Sequence, residues 1–516
     1  MSYSSATRGQ LDRTADASRA RVTGAVLAVV AFAALLRLWA AASLPLIITN
    51  DGTEYLSTGM RLAEGAGLSI VRPIRTPGYP LFLAGVFKVF GTGPVAILIW
   101  QHILGVAACG LVAYAAGRLT RPVLGLLAGL VLALDPWLFA LESYALSEAL
   151  TVFLVAVAVA LTLGPVRPRS YQALLIGIAL GVACLTRPAC QVLVPFVGVA
   201  WLLRARGNRS WRRLLLGGAA GIIGLAGVLG PWVLFNRSRD VEGVASGYSE
   251  MQFKGLLRFG LVDRDFPGDP ELAAAFGDLD PANPTWAQMR TFVAQHIRPW
   301  IARGGRMSAW NRASIADHLG EYVRHCGYAL AWQLNWFPDY GPKPGYSSWP
   351  DWSLERLSRD GSNKQYEGDS TRLGLDVFAM DSRGGSLRAL FGWLSVHAAG
   401  GLPQLLLFGF ALTATIVALV GRRSGLALVV IGSLAFTLAH VMLLFPVGRY
   451  LAPMTPVWCI CVVFVVGAVG GRILPRRASG SPELGSTELE RPAAELPAVE
   501  SATRVETPVA SESQLD

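Results

Sequence analysis

The chain has 516 residues, 53% of them hydrophobic and 16% charged, where an ordinary soluble domain is roughly 25% charged. Its mean hydropathy is +0.44, and the apolar residues come in long runs without period-two alternation. A soluble enzyme, a disordered regulator, a fibrous repeat and a β-barrel are thereby excluded, leaving an all-α polytopic membrane protein whose spans need about 20 apolar residues each. A net charge of +10 invites a nucleic-acid reading, but most of the excess is membrane topology, and no nucleic-acid partner is expected.

Residues 1–21 are polar and carry Arg8, Arg13, Arg19 and Arg21. The positive-inside rule puts them in the cytoplasm as a disordered N-terminus. Apolar stretches follow at about 22–44, 93–117, 123–141, 148–164, 171–186, 189–203, 214–235, 402–420, 425–445 and 452–471. The first also suits a signal peptide, but it is long enough to span and Arg37 interrupts the approach to a cleavage site. Crossing alternately, the stretches place Arg118 and Arg121, Arg167 and Arg169, Arg204 to Arg213, Arg422 and Arg423, and Arg472 to Arg477 on inner loops. The expectation is a bundle of about ten spans with both ends inside, rising to about 11–13 if short re-entrant helices are added.

Residues 236–400 form one large outer insertion, nearly balanced in charge and rich in Trp, Pro and Gly. It is expected to be ordered and loop-heavy on the membrane face. Its DRD (263–265) and DLD (278–280) triplets read as solvated turns. Residues 401–475 carry the last spans, and 476–516, rich in Ala, Pro, Ser and Glu, read as a disordered cytoplasmic tail. The cysteines show no disulfide framework, and Cys326 stands alone in the polar region as a free thiol.

Outside the tails and the insertion the acids are Asp51, Glu54, Glu64, Asp135, Glu142 and Glu148. All map to the outer end, as do Arg37, Arg61, Arg72, Arg75, Lys88, Arg187 and Arg449. Ionisable groups beside hydrocarbon are costly and mark function. Asp51 follows the first span and suits both a helix cap and a general base. The adjacent LSTGMRLAEG suits an interfacial helix with Leu56, Met60 and Leu62 or Ala63 inward, and RTPGYP closes the loop as a rigid turn before 81–90 re-enters the interface. Ser147 and Glu148 open the fourth span, a pattern that also fits capping. Arg187 in LTRPACQ, and Arg449 with Tyr450 in FPVGRYLAPMTP, put arginine forks where an anionic lipid headgroup would sit. The histidines lack metal-ligand spacing, and there is neither a phosphate-binding glycine loop nor a nucleophile elbow.

An acid after the first span, RTPGYPLFLA, SEAL, GIALGVACLTRP, GPWVLFNRSR and FPVGRYLAPMTP occur in this order. Together they resemble the bacterial GT-C glycosyltransferases related to protein O-mannosyltransferases and lipid A aminoarabinose transferases, over roughly 22–240 and 400–471. The resemblance implies a GT-C-like bundle in which 22–235 with the outer loop 45–92 is the catalytic module. It implies a polyprenyl-phosphate-sugar donor, transfer on the outer face of the bacterial cytoplasmic membrane, and inversion at the anomeric carbon. The acceptor is a glycan, a lipid or a protein. By position Asp51 matches the family's catalytic acidic residue and is expected to act as general base; Glu54, Tyr55, Arg72, Arg75, Glu148, Arg187, Arg449 and Tyr450 are the expected substrate-binding set. Protein mannosyltransferases place an Asp-Glu pair after the first span, whereas here Asp51 is followed by Gly52 and the next acid is Glu54. No cofactor or obligatory metal is expected, because arginine can neutralise a monophosphate leaving group. The rival readings are a lipid or solute transporter, which predicts internal repeats that the sequence lacks, and an O-antigen-type polymerase.

Overall fold

A computed structural model describes residues 3–43, 46, 48, 50–164, 169–206, 211–239, 241, 243–245, 247–263, 268–276, 286–302, 305–333, 402–443 and 448–473. Among these residues the regular structure is helical. The membrane part begins with α1 (Tyr3–Ser43), α2 (Asn50–Ala63), α3 (Gly78–Phe90), α4 (Pro94–Leu119), α5 (Pro122–Ala133), α6 (Pro136–Leu141), α7 (Glu148–Leu163), α8 (Ser170–Thr186), α9 (Leu193–Arg206) and α10 (Trp211–Arg237). Among the described residues six helices are long and apolar enough to cross a bilayer, and five more are apolar but shorter. Each of the ten expected stretches contains one of these helices. The chain is a multi-pass membrane protein, and its helices satisfy their backbone polar groups internally, as hydrocarbon requires.

Two expectations are corrected. The stretch 123–141 is not one helix: it breaks after Ala133, where Pro136 cannot continue the hydrogen-bond ladder and Asp135 Oδ1 accepts from the Leu138 amide at 3.1 Å to start α6. The polar N-terminal stretch is helical from Tyr3 rather than disordered. Once the apolar part of α1 is formed, each added residue gains one hydrogen bond without a new nucleation step. No proline interrupts the stretch, and Asp16 pairs with Arg19 on its exposed surface at 3.5 Å.

The helices pack in sequence order with two crossings that matter: α4 lies against α1, α5 and α7, and α8 lies against α7 and α10. Small residues bring backbones together. A Cβ on Gly177 would strike the Gly221 carbonyl, and one on Gly224 the Leu174 carbonyl, so α8 and α10 touch backbone to backbone.

The bundle has a strongly basic end. There Arg118 Nε donates to the Gly164 carbonyl (3.5 Å), Arg204 Nη2 to Leu163 (2.9 Å) and Arg423 Nη1 to Leu119 (3.0 Å), so arginines from three expected inner loops cap the last carbonyls of α4 and α7.

Beyond α10 come α11 (Gly247–Arg258), α12 (Pro270–Ala275), α13 (Trp286–Phe292), α14 (Arg298–Ala302), α15 (Met307–Asp317) and α16 (Leu319–Gln333). They enclose a separate hydrophobic cluster around Phe253, Phe292, Trp300 and Trp310. The described part of the insertion is thus more helical than its composition suggests. Among the described residues α17 (Leu402–Val420), α18 (Ser424–Val441) and α19 (Thr455–Ile473) follow. The DLD triplet, the last two residues of DRD, the segment 334–401 and the tail from 474 lie outside the described residues.

Gly177→Val should force α8 from α10 and lower stability in detergent by about 1–3 kcal/mol, read as a drop in thermal unfolding temperature and in monodisperse yield. Gly227→Ala, where an added Cβ meets nothing within 4 Å, should leave both unchanged.

Candidate functional site

Helix α2 begins at Asn50, so Asp51 sits in its first turn, where a carboxylate meets the positive end of the helix dipole. Positions 51, 54 and 55 share one helical face. The opposite face buries Leu56 completely and packs Met60 and Ala63 on the membrane core, as the apolar spacing predicts. The chain then turns through Leu68–Ile70 and the rigid RTPGYP segment. This segment lies hard against the end of α8. Thr76 Oγ1 donates to the Thr186 carbonyl at 3.3 Å, and a Cβ on Gly78 would come within 2.6 Å of the Leu185 carbonyl carbon.

Arg75 is thereby aimed at α2. Its Nη2 donates to Asp51 Oδ1 at 2.6 Å and to Glu54 Oε2 at 3.1 Å, its Nε to Glu54 Oε2 at 3.2 Å, and its Nη1 to the Tyr55 hydroxyl at 3.4 Å. The guanidinium lies over the Tyr55 ring, 5.2 Å from its centroid. Arg72 Nη1 reaches the other Glu54 oxygen at 3.3 Å and is half exposed. Burial alone would make the Arg75 guanidinium less basic, but Tyr55, Asp51 and Glu54 together outweigh it and raise its pKa. Burial also raises the Tyr55 phenol, against the opposing pull of Arg75. Asp51 and Glu54 are thus held opposite a fixed cation, with Asp51 still partly open to solvent.

A second pair lies nearby. Glu148 opens α7 and is 1% exposed; its Oε1 accepts from Arg187 Nη2 at 3.1 Å. The capping alternative is not what the structure shows, because Ser147 has helical φ/ψ and its side chain makes no capping bond. Pro188 turns the chain immediately after Arg187, so the arginine stays at the end of α8. Tyr55 is within electrostatic reach of both pairs, Asp51–Arg75 and Glu148–Arg187. The 3₁₀ turn Gly448–Met454, which carries Arg449 and Tyr450, packs against α6, α7 and α18. The side chains of Arg449 and Tyr450 lie outside the described residues. Among the described residues no three His, Cys, Asp or Glu are grouped to hold a metal ion, and all six cysteines are free.

A buried polar network behind the two pairs was not anticipated as a unit. Glu142, 0% exposed, accepts from Arg37 Nε (3.0 Å) and Nη2 (2.9 Å) and lies 2.8 Å from His102 Nδ1. His102 Nε2 is buried without a hydrogen-bond partner. Arg37 Nη1 also donates to the Ala133 carbonyl at 2.9 Å. The neighbouring Gln101 takes the Tyr79 hydroxyl on its oxygen (2.8 Å) and donates from Nε2 to the Glu142 and Tyr144 carbonyls, both at 2.9 Å. The sequence signal was present: an arginine inside the first apolar run needs a buried acid, and Glu142 is one of few candidates.

Residues 73–234 match the model of the family described as dolichyl-phosphate-mannose-protein mannosyltransferase. The matched segment takes in Arg75, Tyr79, Gln101, Glu142, Glu148 and Arg187, and begins after Asp51, Glu54, Tyr55 and Arg72. Two crystal structures of ArnT from Cupriavidus metallidurans are similar to the chain. The one bound to undecaprenyl phosphate is 16% identical, with 87% of this chain and 80% of that chain covered and a TM-score of 0.38. The apo structure is 17% identical, with 84% and 78% covered and a TM-score of 0.37. No curated protein matches the chain.

Removing one partner of the fully buried ion pair should be far worse than removing both. Arg37→Met is expected to cost about 3–5 kcal/mol by stranding the Glu142 carboxylate, and Arg37→Met with Glu142→Leu should recover most of it, as measured by denaturant unfolding of the detergent-solubilised protein.

Proposed function

We propose that the chain is an inverting glycosyltransferase that moves a sugar from a polyprenyl-phosphate carrier to an acceptor hydroxyl on a glycan, a lipid or a protein, at the outer face of the bacterial cytoplasmic membrane. The observation that carries this reading is two unlike ion pairs within electrostatic reach of Tyr55: a partly open Asp51–Arg75 pair on an interfacial helix, and a nearly buried Glu148–Arg187 pair where α7 begins and α8 ends. The match of 73–234 to a mannosyltransferase family supports the sugar chemistry. The arginine-rich loops at the other end, which belong inside by the positive-inside rule, support the outer location.

In this mechanism Asp51, held by Arg75, accepts the proton of the acceptor hydroxyl as its oxygen attacks the anomeric carbon from the face opposite the leaving group. The bond from that carbon to the phosphate oxygen breaks, and its electron pair stays on the phosphate. Arg187 neutralises the charge that develops there, with Arg449 as the second cation and Glu148 fixing the Arg187 fork. A phosphate leaving group needs no proton, so one carboxylate base suffices. Arg75 differs from a free phosphate ligand, since Asp51 and Glu54 occupy its fork; it orients the base. Arg72, half exposed, is the loop cation available to substrate, and Glu54, Tyr55 and Tyr450 line the sugar side. The carrier's hydrocarbon tail lies between helices, which is why the reaction belongs in a membrane protein.

Transfer of label from a panel of polyprenyl-phosphate sugars in purified membranes tests the reading. Asp51→Asn should lower turnover by about 10²–10⁴-fold at unchanged expression; full activity would remove Asp51 from the mechanism. Arg187→Ala should weaken donor binding by about tenfold or more, the loss of a charge-assisted hydrogen bond of ~1.5–3 kcal/mol.

A further inference from the structure

Gln101 has no role in the reaction as written, yet it is completely buried and every polar atom of its side chain is used. The Glu142 and Tyr144 carbonyls can only accept, so the amide nitrogen must face them and the amide oxygen must face the Tyr79 hydroxyl. This orientation makes Gln101 the junction between the two halves of the site. On one side Tyr79 stands edge-on to Tyr55, with ring centroids 5.2 Å apart and planes at 83°. Tyr55 in turn lies beneath the guanidinium that holds Asp51 and Glu54. On the other side the turn through Glu142 and Tyr144 leads within four residues to Glu148 and its arginine. That turn is immobilised from behind by Arg37 and His102 gripping the Glu142 carboxylate. A glutamine needed only to satisfy two carbonyls would not have to receive its own donor from the one tyrosine that packs on Tyr55.

We propose that Gln101 is a positioning residue for the transfer reaction: through Tyr79 it sets the separation and orientation of the Asp51–Arg75 pair relative to the Glu148–Arg187 pair. The inference rests on the glycosyl-transfer reading. Base and leaving group act on opposite sides of one carbon, so their spacing, rather than the strength of either pair, decides the rate. A misplacement of about 1 Å costs on the order of 10²-fold in turnover.

Tyr79→Phe removes a single hydroxyl while leaving the ring on Tyr55 and the turn pinned by the Gln101 amide. In the purified full chain, reconstituted in nanodiscs with a polyprenyl-phosphate sugar, Tyr79→Phe and Gln101→Leu should each lower kcat by about 10–100-fold with donor KM within threefold of wild type. Their double variant should be no slower than the slower single one, because both interrupt the same connection. A purely structural role would lower unfolding temperature in Gln101→Leu and leave kcat of folded Tyr79→Phe untouched. Turnover of Tyr79→Phe within twofold of wild type, or losses that multiply in the double variant, overturns the proposal while the glycosyl-transfer reading stands. Should Gln101→Leu fail to fold, Tyr79→Phe decides the matter alone. An inert wild type across the donor panel overturns both readings.

Discussion

A carboxylate inside a helical membrane bundle has to bring its own counter-charge, because neither lipid nor bulk water will neutralise it there. Glu142 and Glu148 obey this constraint, and the architecture follows from it. The Arg37 fork ties α1 to the turn after α6, and Arg187 ties the end of α8 to the start of α7. α1, the α6–α7 region and the end of α8 are thus held in one arrangement by two ion pairs. Hydrophobic packing cannot select neighbours in this way, since one Leu-rich surface fits another and lipid nearly as well.

Ion pairs of this kind need space, and glycine supplies it. Glu142 occupies the place that a Cβ on Gly105 of α4 would take, so the carboxylate rests against helix backbone. Gly78 does the same for the RTPGYP turn, which could not reach the end of α8 if it carried a side chain there. The close approach of α8 to α10 belongs to the same design: it leaves the face of α8 that meets α7 to position Arg187.

The insertion contacts the same end of the bundle. The Tyr322 hydroxyl donates to the Met442 carbonyl at 2.6 Å, and the Tyr248 hydroxyl to Ala439 at 3.2 Å, filling carbonyls left unpaired where α18 ends. Gly247, at the start of α11, lies against the Ile74 carbonyl next to Arg75. The helices that follow α10 are therefore fastened to both the loop carrying Arg75 and the end of α18, where His440 sits within electrostatic reach of Arg187.

Membrane class, the sites of the apolar helices and the charge difference between the bundle's ends were legible from the chain alone. Each depends on local composition: a run of apolar residues must become a helix in lipid, and arginines collect on one side of it. The amphipathic α2, with Asp51 and Glu54 on its polar face, was legible for the same reason. Pairing was not. Nothing in the local sequence says that Arg75 turns onto Asp51 and Glu54, that Arg37 finds Glu142 across 105 positions, or that Gln101 joins Tyr79 to the turn before Glu148. Those choices depend on which helices become neighbours and at what depth, and only the folded bundle, through glycine contacts and buried charge, decides that.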